Sequence, residues 1–232
     1  MKNTLPWFRR RRMQVVALAT LVNLWCSVLP MMANATDLRG PLRIVAYGDS
    51  LTAGYGLPES AAFPAQLEKA LKARGRDIEI INAGVSGDTT AAGLERFDWA
   101  VPEGTHAVIL ELGANDALRG MDPKQARANL EAIITKLKAR GIDVLLAGMA
   151  APRGLGEAYV AAFDPIYPEL AAAHGLILYP FFLDGIAELP DYNLQDGLHP
   201  NAKGVAVIVE RILPKVEELL QRAGARQIGS KF

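Results

Sequence analysis

Four short polar clusters carry side chains able to do chemistry: Gly48-Asp49-Ser50, Gly84-Val85-Ser86-Gly87-Asp88, Gly113-Ala114-Asn115-Asp116 and Asp196-Gly197-Leu198-His199-Pro200. A serine hydroxyl such as Ser50 is a weak nucleophile until a neutral imidazole accepts its proton. Of the three histidines, His106 opens an apolar strand, at the wrong end of a sheet for this work. His174 follows three alanines and precedes Gly175, a place where histidines interact with a helix C-terminus. His199 lies in a polar loop just before a helix, so a histidine base for Ser50 is His199. Asp196, three residues earlier, can reach the other ring nitrogen and offset the imidazolium charge. A tetrahedral intermediate also needs donors aimed at its oxygen, and the Ser50 and Gly87 N–H groups and the Asn115 amide are suitable. Glycine at 87 admits close backbone approach, and a neutral amide costs less to desolvate than a charge.

Each cluster also has a plain structural reading. Asp49 or Ser50 can cap a helix, and Asn115-Asp116 can form a turn. Gly87-Asp88 can be a turn followed by a cap, and the Asp-x-x-His pair can be a surface ion pair or half a metal site. No second His/Asp/Glu cluster has ligand spacing, so no metal is expected. The weight rests on the positions of the clusters relative to one another, which the surrounding elements set.

Apolar runs predict strands over 42–47, 77–83, 107–112, 143–148 and 176–181. Helical spacing predicts helices over 60–74, with Phe63, Leu67, Ala70 and Leu71 on one face, through Leu94 and Phe97, and from Asp122-Pro123 to Gly141. Two more are expected over 159–174 and 201–221, the last with Pro214 as a kink site. Alternating strands and helices imply right-handed crossovers and a doubly wound parallel sheet between helices, an α/β fold in one domain. The turns that follow parallel strands lie on one edge, so the topology itself gathers the four clusters.

With 232 residues, half of them apolar, the chain suits one domain plus a removable leader. Residues 1–35 hold Lys2 and Arg9 to Arg12 and no acid, followed by an apolar stretch over 15–29 and the tail Ala33-Asn34-Ala35. This reads as an export signal cleaved after Ala35, leaving a domain over 36–232 that is periplasmic or secreted. The stretch is short for a bilayer span and carries Asn23 and Pro30 near its end. Removing its five positive charges from 25 basic and 25 acidic residues leaves a net charge of −5, which disfavours nucleic acid or an anionic membrane as the main partner. The single cysteine, Cys26, falls in the leader, so the mature chain would have no disulfide, thiol nucleophile or cysteine metal ligand.

Taken together, Gly48-Asp49-Ser50-Leu51, Ser86-Gly87-Asp88-Thr89, Glu111-Leu112-Gly113-Ala114-Asn115-Asp116 and Asp196-Gly197-Leu198-His199-Pro200 resemble, in order, the four blocks of the SGNH (GDSL-type) hydrolases, specifically the bacterial arylesterase, acyl-CoA thioesterase I and lysophospholipase L1 group. Ala114 stands where relatives often have glycine. The resemblance covers nearly everything from Ile44 to Val209. It implies a flavodoxin-like, three-layer α/β/α fold with five strands and cofactor-free hydrolysis of esters or thioesters. It assigns Ser50 as nucleophile, Asp196 and His199 as the rest of a triad, and Gly87 and Asn115 as oxyanion donors. The chain lacks the G-x-S-x-G elbow of ordinary α/β-hydrolases, and also lacks a P-loop or dinucleotide turn. The expected substrate is a small-molecule ester of short to medium acyl chain. Thioesterase or lysophospholipase action on envelope lipids is the alternative, followed by carbohydrate O-acetylesterase. Met149, Pro152, Leu155, Tyr159, Phe181, Phe182, Leu183 and Ile186, in the loops after the fourth and fifth strands, are candidates to line an apolar slot, although several of them also suit the core.

Overall fold

The computed structural model describes residues 40–229. The expected leader, its cleavage site and Cys26 lie outside them. Five strands, β1 (Leu42–Gly48), β2 (Ile78–Gly84), β3 (Ala107–Glu111), β4 (Asp143–Ala147) and β5 (Ile177–Tyr179), form one parallel sheet. Their order is β2-β1-β3-β4-β5, a doubly wound arrangement whose direction of winding reverses between β1 and β3. The sequence explains which strands are central. Ala-Val-Ile-Leu-Glu and Asp-Val-Leu-Leu-Ala are buried at every position, as strands covered on both faces must be. The edge strand β2 includes the exposed polar residues Glu79 and Asn82. The register pairs Gly48 with Gly84 on one side and with Glu111 on the other, so three strands end level and their following turns meet.

The helices are α1 (Ser50–Ala53), α2 (Phe63–Lys72), α3 (Thr90–Glu95), α4 (Phe97–Ala100), α5 (Ala114–Leu118), α6 (Pro123–Ala139), α7 (Glu157–Phe163), α8 (Ile166–His174) and α9 (Ala202–Gly229). α2 packs on α9 to cover one face of the sheet, while α6 packs with α3 and α8 on the other. The amphipathic pattern of α9 buries Val205, Ile208, Ile212, Val216 and Leu219, and Pro214 lies within the helix. Residues from β1 to β5 and both helical layers form one continuous core.

Three expectations need correction. The helix expected from 60 begins at Phe63, after a separate 3-10 turn at Glu59–Ala61, with Pro64 in its first turn. The helix expected over 159–174 is two, α7 and α8, interrupted at Asp164-Pro165; proline lacks the N–H needed to continue the ladder. Asp164 uses its carboxylate there, accepting from Ala151 N at 2.9 Å and from Arg153 Nη1 at 2.7 Å. The fifth strand is three residues long, ending at Tyr179. The one-turn helix α5, which opens at the third polar cluster, was not legible as a helix, and α1 was legible only through the capping reading of Asp49 or Ser50.

Candidate active site

Ser50 is the first residue of α1, directly after the buried N-cap Asp49, whose Oδ1 accepts from Leu51 N at 3.0 Å. The capping reading of Asp49 is therefore correct, and the cap leaves the Ser50 side chain free to face the crevice. Gly48 admits no larger residue: a Cβ there would lie 2.5 Å from the backbone oxygen and Oε2 of Glu111. That close approach lets β1 and β3 end side by side beneath Ser50.

His199 and Asp196 come from the loop before α9, and that loop is latched by amides. Asn193 Nδ2 donates to Ile186 O at 2.7 Å and to Leu189 O at 2.8 Å, and Leu194 N donates to His199 O at 2.7 Å. Asn201 Oδ1 accepts from Lys203 N and Gly204 N at the start of α9, while its Nδ2 donates to Asp191 O. Held this way, His199 Nε2 sits 2.9 Å from Ser50 Oγ, and Nδ1 sits 2.7 Å from Asp196 Oδ2. Asp196 Oδ1 accepts from Leu198 N at 2.9 Å and His199 N at 3.0 Å. These backbone donors, His199 first, hold its carboxyl down at about 2. Tyr55, missed by sequence reasoning, lays its half-exposed ring against His199, tilted by 36° with centroids 4.4 Å apart. Its only signal was its place between Gly54 and Gly56 in the stretch after Ser50.

The candidate oxyanion donors converge on the same edge. Val85 N donates to Gly48 O at 3.0 Å, and Asp88 N closes a turn on Val85 O at 3.1 Å. Gly87 occupies that turn at φ +87°, a conformation glycine adopts without steric cost. Arg119 Nη2 donates to Gly87 O at 3.0 Å from the solvent side. Asn115 lies in α5, not in a simple turn, and its Nδ2 donates to Asp88 O at 3.0 Å and Asp49 Oδ2 at 3.2 Å. Asp116 beside it accepts from Thr90 N and Thr90 Oγ1 at 2.8 and 2.7 Å, tying α5 to the start of α3. The cap of α3 is Thr89, whose Oγ1 accepts from Ala92 N. That leaves the Asp88 carboxylate for Arg96.

Beside Ser50 lies a carboxyl pair, the capping Asp49 and Glu111, the second of which sequence reasoning left without a role. Glu111 Oε2 accepts from Thr52 Oγ1 at 2.7 Å and from Asp49 N at 3.4 Å. Both acids are fully buried. Burial pushes the Asp49 carboxyl up to about 6, and burial with the Asp49 charge nearby pushes Glu111 well above its ordinary value.

The proposed slot residues divide. Met149, just after β4, and Phe182, just after β5, belong to the core, and Phe182 packs edge-on against Phe63 of α2 at 5.0 Å. Tyr159 spends its hydroxyl on Met121 O at 2.7 Å. Phe181 is half-buried and Leu155 is exposed. The other two histidines have structural surroundings. His106 Nδ1 accepts from Arg43 N at 2.9 Å, and His174 Nε2 lies 3.3 Å from Glu131 Oε1. Among the described residues, no group of three or more His, Cys, Asp or Glu side chains is placed to hold a metal ion, and no helix is long and apolar enough to cross a membrane.

This arrangement can transfer an acyl group: a hydroxyl, an adjacent base with its orienting carboxylate, and donors at one edge. Residues 46–207 match the model of the GDSL-like lipase/acylhydrolase family. The chain is similar to Esterase TesA of Pseudomonas aeruginosa, 38% identical over 178 residues that span 76% of this chain and 89% of that protein. It is also similar to an arylesterase of Vibrio mimicus, 36% identical over 84% of this chain and 95% of the relative. The solved structure of AlinE4, an SGNH-hydrolase family esterase, superposes with a TM-score of 0.66 at 46% identity, covering 78% of this chain and 98% of that one.

Proposed function

The chain belongs to the GDSL-like lipase/acylhydrolase family and is a carboxylic ester hydrolase, and from that premise we propose that Ser50, His199 and Asp196 form its catalytic triad. The carrying observation is the unbroken line from Ser50 Oγ to His199 Nε2 at 2.9 Å and from Nδ1 to Asp196 at 2.7 Å. Ser50 Oγ attacks the ester carbonyl while His199 Nε2 takes its proton, and Asp196 offsets the charge that forms on the ring. The oxyanion is met by the Ser50 and Gly87 N–H groups and by Asn115 Nδ2. Both Asn115 amide hydrogens have protein partners, so the oxyanion competes with the longer contact, that to Asp49. His199 then returns its proton to the departing alcohol, and a water, activated in the same way, releases the acid.

The substrate we propose is a small ester with an apolar acyl or aryl group. Supporting this, the segment after each of the five strands carries at least one exposed large apolar side chain, Tyr55, Val85, Leu118, Leu155 and Leu198 among them. Isolated exposed apolar side chains are ordinary; their recurrence on every segment leaving the Ser50 edge suits an apolar substrate. Hydrolysis of p-nitrophenyl esters from acetyl to palmitoyl tests the whole reading. Activity should peak at one chain length and collapse in Ser50→Ala, and turnover surviving that substitution would refute the Ser50 assignment. A preference for acyl-CoA or lysophospholipid over every simple ester would favour the thioesterase or lysophospholipase reading instead. We also read residues 1–35 as an export signal, so N-terminal sequencing of exported protein should begin at Thr36.

A further inference from the structure

The oxyanion turn poses a mechanical problem. Val85, Ser86 and Gly87 are exposed, and a glycine at positive φ gives the loop no side chain with which to fix itself. Its first buried residue is Asp88, and the Asp88 carboxylate pairs with the Nε of Arg96, itself only 6% exposed. Arg96 reaches further. Its Nη2 donates at 2.9 Å to Gly48 O, the carbonyl that also accepts from Val85 N at 3.0 Å. The guanidinium lies over the Tyr47 ring at 4.5 Å from its centroid, and Tyr47 donates its hydroxyl to Gly93 O in α3.

One buried side chain thus grips both turns. Gly48 immediately precedes Asp49-Ser50, and Asp88 immediately follows Gly87. The third donor is attached as well, because Asn115 Nδ2 bonds Asp88 O at 3.0 Å. Stability alone is a poor account of such a pair. A buried ion pair rarely outperforms a well-packed apolar substitute, and Arg96 Nη1 is buried without a hydrogen-bond partner among the described residues. A guanidinium can hold two acceptors in a fixed planar relation, which a lysine cannot.

We infer that Arg96 is a positioning residue for acyl transfer: by clamping Gly48 O and the Asp88 carboxylate together, it sets the spacing of the Ser50, Gly87 and Asn115 donors. The inference rests on the triad and oxyanion reading above. It predicts that Arg96 acts on the transition state and hardly on substrate binding, since a misplaced donor loses the oxyanion and leaves the acyl contacts intact.

The test is steady-state kinetics on a p-nitrophenyl ester for Arg96→Lys and for the double variant Arg96→Gln/Asp88→Asn, which removes both buried charges together. Each variant is made with Asn115 intact and with Asn115→Ala, and Ser50→Ala is run alongside. In the double variant kcat should fall roughly 10- to 100-fold, the scale of a donor misplaced or lost, with KM within about twofold. Arg96→Lys, which keeps the charge but not the fork, should fall between it and the parent. In the Asn115→Ala background the further loss should shrink to under about threefold, because the damaged hole has less to lose. An unchanged kcat with Ser50→Ala inactive would overturn the inference and leave the triad reading standing. So would an equal loss in both backgrounds, or the double variant losing cooperative thermal unfolding, which would assign the pair to the fold. Full turnover in Ser50→Ala would overturn the triad reading and the inference with it.

Discussion

Replacing Asp196 by asparagine should be worse than replacing it by alanine. Asp196 Oδ1 accepts from two backbone N–H groups, at 2.9 and 3.0 Å, while Oδ2 faces His199 Nδ1 at 2.7 Å. In Asp196→Asn the side-chain oxygen must remain with the two backbone donors, since an amide nitrogen there would leave three donors facing one another, at about 1–3 kcal/mol for each unmet group. The NH2 then points at Nδ1 and donates to it. That fixes the tautomer with its proton on Nε2, facing Ser50 Oγ, where it cannot accept one. The expected loss in kcat is about 10⁴-fold, the scale seen when a triad histidine is held in the wrong tautomer. Asp196→Ala leaves the tautomers free and removes the charge partner, together with the acceptor of the exposed Leu198 and His199 N–H bonds, which water can replace. The pair is partly exposed, with Asp196 36% and His199 20% accessible at the side chain, so an effective dielectric of about 40–80 is appropriate. At a separation of 2.7 Å this corresponds to about 1.5–3 kcal/mol, or roughly a 10- to 200-fold loss. The assay is p-nitrophenyl ester hydrolysis by purified parent and variants, with circular dichroism as a check on folding. An asparagine variant as active as the alanine variant, or more so, would refute the reasoning, since the backbone donors would then not dictate the orientation of residue 196.

Glu111→Gln should flatten the pH dependence of stability. Raised carboxyl pKa values mean the folded state holds more protons than the unfolded chain between about pH 4 and the folded value, so stability falls as pH rises through that window. For Asp49 the window ends at about 6, and for Glu111 it ends well above that group's ordinary value. Thermal midpoints from pH 4 to 8 should decline less steeply in the variant, and an undiminished slope would refute this. Phe182→Ala should lower unfolding free energy by about 3–5 kcal/mol in denaturant titration, because it empties a core site against Phe63. Leu155→Ala, at an exposed position, should leave stability within about 0.5 kcal/mol and shift the acyl-chain profile. A stable Phe182→Ala variant with an altered profile would reverse the two assignments.

The proposed site was legible because the fold class was legible. Five apolar runs alternating with helical spacing demand a parallel sheet, and a parallel sheet delivers all its strand-to-helix turns to one edge. Ser50, Gly87, Asn115, Asp196 and His199 could therefore be assembled before any coordinate was known. The boundaries that slipped did so for local reasons, as where Asp164-Pro165 breaks a helix whose apolar spacing runs straight through it.

What lay beyond the sequence was everything that depends on depth. Met149 and Phe182 have the composition of a substrate slot, yet the chain leaving β4 and the chain leaving β5 turn them into the core, and composition does not distinguish an apolar pocket from an apolar interior. Asp88 and Arg96 are eight residues apart with no pattern that marks a pair; only the crossover from β2 to β3 brings Arg96 back under Gly48 O. Glu111 reads as the polar end of a strand and becomes a buried acid because β3 runs beside β1 with Thr52 above it. Residue types and their order determined which groups meet at the sheet edge, since strand direction is a property of the whole chain. Only the tertiary structure decided how deeply each group is buried and what shares its space, and those two quantities set a carboxyl's charge and an arginine's reach.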